Sequence, residues 1–481
     1  MKIIDLIDSE QILYSDIDLN TEIARLAHDP KECTADSLLV LPNSKKPMAE
    51  INEAPTAVLC GKDAILQDGI KAVRVKSPRS AISDAYFRFY KTDFSKTKLI
   101  GITGTNGKTS TATFIKHAFL SEGVRVGFIG TGLISVCNRT ISEEFYSMTT
   151  PDPWLLYPTL KRMVEEGCEI IVMEVSSHSL ELDKVAPLKF DIGVFTNLSM
   201  EHLDFHGDIE KYFEAKSKLF SLCDKAVINI DDYYGRRLAC DLETEKVTVG
   251  VLWRGDAYVT NIQNRGFDGI EYIYHGRGYS FTMKLKAAGI YNIYNSMLAI
   301  AVCTELGLKP CRVKMALSTL PAISGRYEII KDDVTVIIDY AHTDVAMENI
   351  LKNLYEVKDR SQGITVIFGC GGERDKTKRA RMARVAEIYA DNIVITSDNS
   401  RREPVDAIIS DIISGFTNDN YKVIKDRRSA ITEAIIEAEK NEIIAIIGKG
   451  AEKYNIDSEG YHKFDEREII YKALKQRSGG S

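Results

Sequence analysis

The chain has 481 residues, of which 44% are hydrophobic and 27% are charged, and its formal net charge at pH 7 is −7. These values are typical of a globular protein of roughly three domains with ample core. The acidic balance, without a long lysine and arginine run, argues against nucleic acid as the main partner.

Two further features indicate the compartment. The stretch "MKIIDLIDSEQ" lacks the apolar core of a signal peptide, and no run of about eighteen apolar residues could cross a bilayer. The nine cysteines are scattered, without a CxxC pair, and are predicted to be reduced thiols in the core. We therefore expect a cytoplasmic protein with no membrane partner.

Residues 1–97 predict a small α/β domain. Short apolar runs occur at "DSLLVLP", "TAVLCG" and "KAVRV", and a helical pattern follows at "SAISDAYFRFY". The polar stretch "KTDFSKTK" is typical of a linker to the next domain.

Residues 98–326 alternate between strand and helix patterns. The candidate strands are "KLIGITG", "VRVGFIGTG", "CEIIVMEVSSH", "FDIGVFTNLS" and "KAVINIDD". Strands separated by helices predict a mostly parallel sheet with crossover helices, and hence an α/β fold.

The first of these strands leads into a glycine-rich turn and a helix, "GTNGKTSTATFIK". Its glycines let the backbone approach phosphate oxygens, Lys108 supplies a cation, and Thr109 offers a hydroxyl to Mg²⁺. Ile102 replaces the first glycine of the standard phosphate loop, and a bare glycine pair could be an ordinary turn. The position between strand and helix favours a phosphate loop, which comprises Gly104, Thr105, Asn106, Gly107, Lys108, Thr109 and Ser110.

Acidic and imidazole side chains follow two later strands. "IIVMEVSSH" contains Glu174 and His178, and "VFTNLSMEHLDFHGD" contains His202. A hard carboxylate beside the Thr109 hydroxyl is what Mg²⁺ requires near phosphates, whereas histidine is a less typical ligand. A single histidine is more often structural, but three of the chain's eight histidines lie in these two segments and favour a functional site.

Residues 327–481 contain four apolar runs that each end in a polar cluster. The runs are "VTVII", "ITVIF", "NIVIT" and "EIIAII". Ligands of open α/β sheets bind at the carboxyl ends of parallel strands. Any one charged residue in these clusters could be a solvated loop residue, but four successive strand ends favour a common rim that contains Arg374, Arg401, Lys449 and Glu452.

Eight motifs in order resemble those of a known family. They are "GTNGKTS", "TTPDP", "EVSSHSLELDKV", "FTNLSMEHLDFHGD", "YFEAKSKLF", "GRYE", "DYAHT" and "GCGGERDKTKR". Over Leu99 to Glu452 the chain resembles the Mur ligases of peptidoglycan synthesis, in particular the members that add the third peptide residue. The resemblance implies three domains: an N-terminal UDP-sugar-binding-like domain (1–97), a central P-loop-type ATPase domain (98–326) and a C-terminal Rossmann-like, amino-acid-binding domain (327–481).

The resemblance also implies a reaction. ATP would phosphorylate the D-glutamate side-chain carboxylate of UDP-MurNAc-L-Ala-D-Glu, and the amine of a diamino acid would then attack the acyl phosphate. The partners would be these small molecules, and we expect a monomer. The implied catalytic residues are Lys108, Glu174, His202 and Lys216, and the implied Mg²⁺ ligands are Thr109, Glu174, His202 and Lys216.

Further roles are implied only by the resemblance. CO₂ would carbamylate Lys216, which turns a cation into an anion; loss of the lysine proton is favoured by burial and by nearby cations. ATP would be bound by Asn292, Asn295, Arg326 and Asp339, with Tyr291 in place of the usual phenylalanine. The muramoyl dipeptide would be bound by Thr149, Thr150, Ser176 and Lys184, where lysine replaces the usual arginine.

The incoming amino acid is predicted to be meso-diaminopimelate rather than L-lysine. "SDNSRREP" resembles the Asp-Asn-Pro-Arg motif of the diaminopimelate-adding members, and arginine suits the additional carboxylate of that substrate. Ser400 replaces the proline of the motif, Ala451 replaces a usual histidine, and Arg402 is a possible competitor for the carboxylate. The implied contact residues are Arg374, Asp398, Asn399, Ser400, Arg401, Gly448 and Glu452.

The first domain leaves an alternative open. Asp29-Pro30-Lys31 stands where the family has an Asp-Ser-Arg segment, so no uridine-binding residue is assigned. The chain could be a paralogue that uses another amino acid, such as L-lysine, or another acceptor, or it could be a regulatory nucleotide-binding module. Retention of the four implied catalytic residues argues against an inactive module, and the Arg374 and "DNSR" clusters argue against a folylpolyglutamate synthase.

Overall fold

The computed structural model describes residues 1–42, 51–142 and 148–479, with Ser142 described for its backbone alone. Three large sheets divide these residues into an N-terminal, a central and a C-terminal unit. Short 3₁₀ helices occur at Ile3–Asp5, Ser9–Gln11, Pro30–Glu32 and Gly266–Asp268.

The N-terminal unit is a five-stranded sheet followed by one helix. Its elements are β1 (Ile12–Ser15), β2 (Arg25–Ala27), β3 (Ser37–Val40), β4 (Ala57–Gly61), β5 (Ala72–Val75) and α1 (Pro78–Tyr90). The strand order is β1-β5-β4-β3-β2, with β1 antiparallel to β5 and the other neighbours parallel. The small α/β unit predicted from the apolar runs is therefore confirmed.

The central unit is built on an eleven-stranded sheet. Its strands are β6 (Lys98–Thr103), β7 (Val126–Gly130), β8 (Leu133–Val136), β9 (Arg139–Ser142), β10 (Ile170–Glu174), β11 (Phe190–Phe195), β12 (Cys223–Asn229), β13 (Glu245–Gly250), β14 (Ala257–Asn264), β15 (Ile270–Gly276) and β16 (Tyr279–Leu285). Its helices are α2 (Lys108–Ser121), α3 (Pro153–Glu165), α4 (Ser177–Glu181), α5 (Leu203–His206), α6 (Ile209–Ser221), α7 (Tyr233–Asp241), α8 (Ile290–Glu305) and α9 (Pro310–Thr319).

The central sheet is parallel in its middle and antiparallel at both edges. Its order is β16-β15-β14-β13-β12-β11-β6-β10-β7-β8-β9, and the neighbours from β14 to β7 are parallel. Strands β7 and β10 are buried along their whole length because helices cover both faces, which explains why they are continuous apolar runs rather than alternating patterns. The mostly parallel sheet predicted from the sequence is confirmed.

The C-terminal unit is a six-stranded sheet with helices on both faces. Its strands are β17 (Glu328–Lys331), β18 (Thr335–Asp339), β19 (Ile364–Phe368), β20 (Asn392–Ile395), β21 (Lys422–Val423) and β22 (Ile443–Ile447), followed by the hairpin of β23 (Tyr454–Asp457) and β24 (Gly460–Lys463). Its helices are α10 (Asp344–Val357), α11 (Thr377–Tyr389), α12 (Val405–Ile413), α13 (Arg427–Glu437) and α14 (Glu466–Gly479). The order is β17-β18-β22-β19-β20-β21, and only β17 is antiparallel to its neighbour. The four apolar runs are the four central parallel strands, so their carboxyl ends meet at one edge.

The cysteine prediction is correct in part. All nine cysteines are free, and six of them are buried. Cys240 and Cys311 are exposed, so their assignment to the core was wrong; Cys240 lies on α7 and Cys311 on α9, on surfaces that face solvent. None of the helices in the described part of the chain is long and apolar enough to span a bilayer.

Candidate active site

The glycine-rich turn joins β6 to α2 as a phosphate loop would. Gly104 and Gly107 have φ of +146° and +85°, a region that side chains disfavour. A Cβ on Gly107 would also collide with the side-chain oxygen of Asn295. Lys108 opens α2, and its Nζ donates to the carbonyl oxygens of Gly104 at 2.9 Å and Thr105 at 2.8 Å. The N-terminus of α2 and the Lys108 side chain therefore meet at the loop.

Glu174, at the end of β10, is held beside this loop. Its buried carboxylate accepts hydrogen bonds from the Thr109 hydroxyl at 3.0 Å and from the Thr131 hydroxyl at 3.3 Å. The backbone N–H of Thr131 donates to the other carboxylate oxygen at 3.1 Å. A Cβ on Gly130 would collide with that oxygen, so a glycine is needed there. The predicted pairing of Glu174 with Thr109 is confirmed.

The two predicted histidines lie side by side. The rings of His178 and His202 are T-shaped, with centroids 4.9 Å apart. Burial lowers the pKa of His178 to about 4 and that of His202 to about 3. Both imidazoles are therefore neutral at pH 7, which is the form that binds metal ions.

Lys216, on α6, lies behind the phosphate loop. Its Nζ donates to the Gly104 carbonyl oxygen at 2.8 Å and lies 4.5 Å from the centroid of the Tyr212 ring. The side chain is 1% exposed. Burial, and then the neighbouring Lys108 ammonium, hold the pKa of Lys216 well below its usual value. A neutral amine is thus favoured at this position.

The residues predicted to bind Mg²⁺ form a mixed donor set. Within the described residues, no three His, Cys, Asp or Glu side chains cluster in a way that could hold a metal ion. Thr109 and Glu174 nevertheless bring two hard oxygen donors to 3.0 Å of each other at the phosphate loop. Such donors suit Mg²⁺, which usually takes one or two carboxylates together with substrate phosphates. The residues present therefore fit this ion.

A cavity of about 480 Å³ extends from the phosphate loop along α8 to the C-terminal unit. Its apolar wall includes Leu298 and Leu317, as a nucleoside base requires. Predicted ATP-binding residues on its wall are Asn106, Gly107, Ser110, Asn292, Asn295, Arg326 and Asp339. The Asp339 carboxylate accepts from the backbone N–H groups of Tyr327 at 2.6 Å and Ala341 at 2.7 Å. Its position at the end of β18 is therefore fixed.

A second cavity, of about 190 Å³, lies between the central and C-terminal units. The central unit contributes Thr105, Asn106, Gly107, Lys108, Thr109, Thr149, Glu174 and His202, and the C-terminal unit contributes Arg374, Asp398, Asn399, Arg401, Gly448 and Glu452. Arg326 lies at the junction, where its guanidinium donates to the Thr109 hydroxyl at 3.1 Å and covers the Tyr340 ring at 4.3 Å. We call this space the reaction cavity. The predicted convergence of the strand ends is confirmed for Arg374, Arg401 and Glu452, whereas Lys449, predicted to share their rim, does not line the cavity.

Other predicted substrate residues lie around the reaction cavity. The Thr150 hydroxyl donates to the Glu174 carbonyl oxygen at 2.9 Å and accepts from the Ser176 N–H at 3.0 Å. Lys184 forms an ion pair with Asp152, with Nζ and Oδ1 2.6 Å apart. Ser400 is buried, and its carbonyl oxygen accepts from the Glu403 N–H at 3.0 Å. Their substrate contacts stay predictions.

The part of the reaction cavity that the C-terminal unit forms carries a positive charge on one side and a negative charge on the other. The Arg401 guanidinium donates to the carbonyl oxygens of Gly372 at 2.9 Å and Asn399 at 3.2 Å. On the other side, the Asn399 side chain donates to Glu452 at 2.9 Å and accepts from Lys449 at 2.8 Å. Lys449, predicted to lie on the rim, is fully buried below it. The arrangement can therefore receive a carboxylate and an ammonium group at separate places.

Eight residues of the reaction cavity were not among the predicted site residues: Thr131, Glu201, Asp204, Tyr340, His342, Gly371, Asp375 and Lys378. Glu201 lies next to His202 in "SMEHLD", and His342 lies within "DYAHT", so both were in motifs already singled out. Thr131 follows β7, and its place at a strand end is the signal that could have found it. Lys378 is in "GCGGERDKTKR"; its neighbour Arg379 is also buried but pairs with Glu403, a difference that the sequence does not show.

Comparison with known families agrees with this geometry. Residues 102–303 match the Mur ligase middle domain, and residues 325–450 match the family described as Mur ligase, glutamate ligase domain. These two regions cover more than half of the chain. The chain belongs to the Mur ligase family, whose members combine an ATP-binding central domain with a C-terminal ligase domain.

Individual relatives narrow the comparison. A ligase of Clostridium acetobutylicum, UDP-N-acetylmuramoyl-L-alanyl-D-glutamate–2,6-diaminopimelate ligase 1, is 36% identical over 470 residues, which are 95% of this chain and 96% of the relative. A second relative is the UDP-N-acetylmuramoyl-L-alanyl-D-glutamate–2,6-diaminopimelate ligase of Caldanaerobacter subterraneus subsp. tengcongensis. It is 39% identical over 431 residues, which are 89% of this chain and 88% of the relative. A solved structure of UDP-N-acetylmuramoyl-L-alanyl-D-glutamate–2,6-diaminopimelate ligase is 25% identical, with a TM-score of 0.66, and covers 97% of this chain and 98% of its own.

Proposed function

We propose that the chain is an ATP-dependent amide ligase that joins meso-diaminopimelate to UDP-MurNAc-L-Ala-D-Glu through an acyl phosphate. The observation that carries this proposal is the reaction cavity, because the phosphate loop and the C-terminal strand ends line one space. A nucleotide on one side and an amino acid on the other would thus meet there. The names of relatives that cover nearly the whole chain support the same reaction.

The reaction has two steps. A side-chain carboxylate oxygen of D-glutamate bonds to the γ-phosphorus of ATP while the bond from that phosphorus to the β–γ bridging oxygen breaks, and ADP leaves with the electron pair. The amine nitrogen then bonds to the carbonyl carbon, the C–O bond to the phosphoryl group breaks, and the proton lost by nitrogen passes to the released phosphate. Phosphorylation is needed because a carboxylate is a poor electrophile toward an amine.

The central unit supplies positioning and charge for the first step. Lys108 and the N-terminus of α2 bind phosphate oxygens, and Arg326 is poised beside the Thr109 hydroxyl. Thr109, Glu174, His202 and a carbamylated Lys216 would hold Mg²⁺, which supplies charge neutralisation for the phosphates. The burial of Lys216 and its lowered pKa support carbamylation by CO₂, since only the neutral amine reacts.

The acceptor and the amino acid would approach from different sides. Thr149, Thr150 and Ser176, with Lys184 nearby, lie next to Glu174 and would bind the dipeptide. Arg401 would bind the distal carboxylate of meso-diaminopimelate. The further residues that would contact the amino acid are Arg374, Asp398, Asn399, Ser400, Gly448 and Glu452, all of which except Ser400 line the reaction cavity. Glu452 suits the distal ammonium group.

We also propose that the enzyme is a cytoplasmic monomer. One chain provides both walls of the reaction cavity, so a second copy is not needed to complete it. Nine free cysteines suit a reducing compartment. The domain boundaries predicted at 97/98 and 326/327 fall between the three sheets and are kept in this proposal.

Phosphate release measured with UDP-MurNAc-L-Ala-D-Glu and a panel of amino acids tests the function. We expect release only when the acceptor and an amine are both present, with meso-diaminopimelate preferred over L-lysine. Glu174→Gln should raise the Mg²⁺ concentration needed for half-maximal activity by about 10–100-fold. Vigorous ATP hydrolysis without either substrate would contradict a ligase.

A further inference from the structure

Lys378 is a buried cation to which the mechanism above gives no task. Lys378 is 8% exposed and lines the reaction cavity. Among the residues that the structure describes, none forms a side-chain hydrogen bond or an ion pair with it. In the described part of the chain, the Lys378 Nζ is not one of the fully buried polar atoms that lack a partner, so the ammonium group is open to the cavity. A cation that is open to the cavity and has no protein partner is suited to bind an anionic group that enters it.

The local backbone increases this demand for an anion. Lys378 lies in the first turn of α11, where the helix dipole is positive and where the chain has no acidic residue. The adjacent cations are already neutralised: Arg379 donates to Glu403 at 2.8 and 2.9 Å, and Lys376 forms an ion pair with Glu403 at 2.9 Å. Lys378 is thus the cation of this turn that lacks a described partner.

The place of Lys378 in the cavity selects the anion. Lys378 lines the same cavity of about 190 Å³ as Lys108 and Thr109 of the phosphate loop. In so small a space, an anion bound at the loop lies close to Lys378. The carboxylates of the amino acid have other cations available to them, at the opposite end of the cavity.

We propose that Lys378 is a catalytic residue whose ammonium group binds the phosphoryl oxygens as they pass from ATP to the acceptor carboxylate. The N-terminus of α11 adds its positive end to the same oxygens. This inference rests on the proposed function and concerns its first step. Negative charge spreads over the three equatorial oxygens in that step, so a cation from the C-terminal unit complements Lys108 on the opposite wall. It also makes closure of the two units a condition for phosphoryl transfer.

Acyl-phosphate formation can be measured separately from amide formation. The enzyme is mixed with ATP, Mg²⁺ and UDP-MurNAc-L-Ala-D-Glu without an amine, and the acyl phosphate is trapped by reduction with tritiated borohydride, which labels the alcohol formed at the D-glutamate side chain. Lys378→Met should slow this step by about 100-fold or more, the usual effect of removing one preorganised charge-stabilising group. Lys376→Met is the matched control, because its side chain is 63% exposed and belongs to the same turn. It should react at the wild-type rate.

The outcomes separate the two proposals. Wild-type rates with Lys378→Met, or a rise confined to the KM for the amino acid, would overturn the assignment of Lys378 and leave the ligase function standing. Absence of acyl phosphate from the wild-type protein would overturn both. Thermal unfolding is measured for each variant, and Lys378→Gln, which keeps a polar side chain, provides the same test if the methionine variant does not fold.

Discussion

The imidazole of His342 and the carboxylate of Glu201 form a hydrogen bond between the C-terminal and central units, with Nε2 and Oε1 2.9 Å apart. Burial would raise the pKa of Glu201, but the nearby His202 and His342 hold it well below its usual value. The Glu201 carboxylate is therefore charged at neutral pH. The contact lies on the wall of the reaction cavity, so the docking of the two units and the assembly of the site occur together.

A double-mutant cycle tests this coupling. Glu201→Ala, His342→Ala and the double variant are compared by kcat/KM for ATP. Since either single change breaks the same hydrogen bond, we expect the effects to be non-additive by about 0.5–3 kcal/mol. Strictly additive losses would mean that the two side chains act independently.

Replacement of Lys216 tests its role as an anion. Lys216→Ala should nearly abolish ligase activity, whereas Lys216→Glu, or the alanine variant with added short carboxylic acids, should recover a small part of it. Lys218→Ala is the control on the same helix, because Lys218 is 45% exposed and pairs with Glu181. A Lys216→Ala enzyme that keeps most of its rate would exclude the carbamate.

Acid should destabilise the C-terminal unit through Glu403. Hydrogen bonds from Arg379, and then one from Lys376, hold the pKa of Glu403 well below its usual range. The unfolded chain therefore binds more protons than the native state below about pH 4.3, and the free energy of unfolding falls as the pH falls through this range. Urea unfolding at a series of pH values should show a shallower acid slope for Glu403→Gln. Glu433→Gln serves as control, because the Glu433 side chain is 44% exposed and pairs, within the described residues, only with a surface lysine, Lys422. Equal slopes for Glu403→Gln and wild type would contradict the prediction.

Tyr291→Phe should not destabilise the protein. The Tyr291 hydroxyl is buried and has no hydrogen-bond partner among the described residues, so its removal should raise the free energy of unfolding by about 1 kcal/mol. Tyr272→Phe is the matched control, since its hydroxyl is 2.7 Å from the Ser296 hydroxyl and its loss should cost about 1 kcal/mol. Chemical denaturation of the two variants compares them directly. Equal destabilisation by both would show that the Tyr291 hydroxyl has a partner after all.

The sequence predicted the elements and strand-end residues because these depend on local patterns. β19 and β22 are fully buried and mainly apolar runs bounded by glycine and charge, and parallel strands place their carboxyl ends together. Gly107 precedes Lys108 in a strand-to-helix turn, so the phosphate loop was also readable from order alone.

The remaining features depend on which distant segments meet. Glu201 and His342 are 141 positions apart, and no periodicity relates them. Likewise, the composition of "DKTKR" does not reveal that Arg379 is neutralised by Glu403 while Lys378 is left to face the cavity. Burial and pairing of charges are properties of the folded chain, and the sequence could not supply them.

We expect the choice of amino acid to depend on Arg401 and its neighbour Arg374. Burial, and then the like charge of Arg374, lower the pKa of Arg401. Within the described residues, no carboxylate lies within 4.0 Å of either guanidinium group, although both line the reaction cavity. Two adjacent arginines that repel each other would be stabilised by a substrate carboxylate between them. meso-Diaminopimelate offers one at its distal end, and L-lysine does not.

Arg401→Ala should therefore reduce the preference for meso-diaminopimelate over L-lysine and not only the rate of ligation. We expect kcat/KM for meso-diaminopimelate to fall. The fall should correspond to a loss of about 2–5 kcal/mol in transition-state stabilisation, which is the cost of truncating one partner of a buried charge pair. Turnover of L-lysine should change much less, since its side chain ends in an ammonium group. Arg402→Ala, at the exposed neighbouring position, is the control and should leave both values unchanged. A wild-type enzyme that prefers L-lysine, or an Arg401→Ala enzyme with the wild-type preference, would refute the assignment of this arginine to the distal carboxylate.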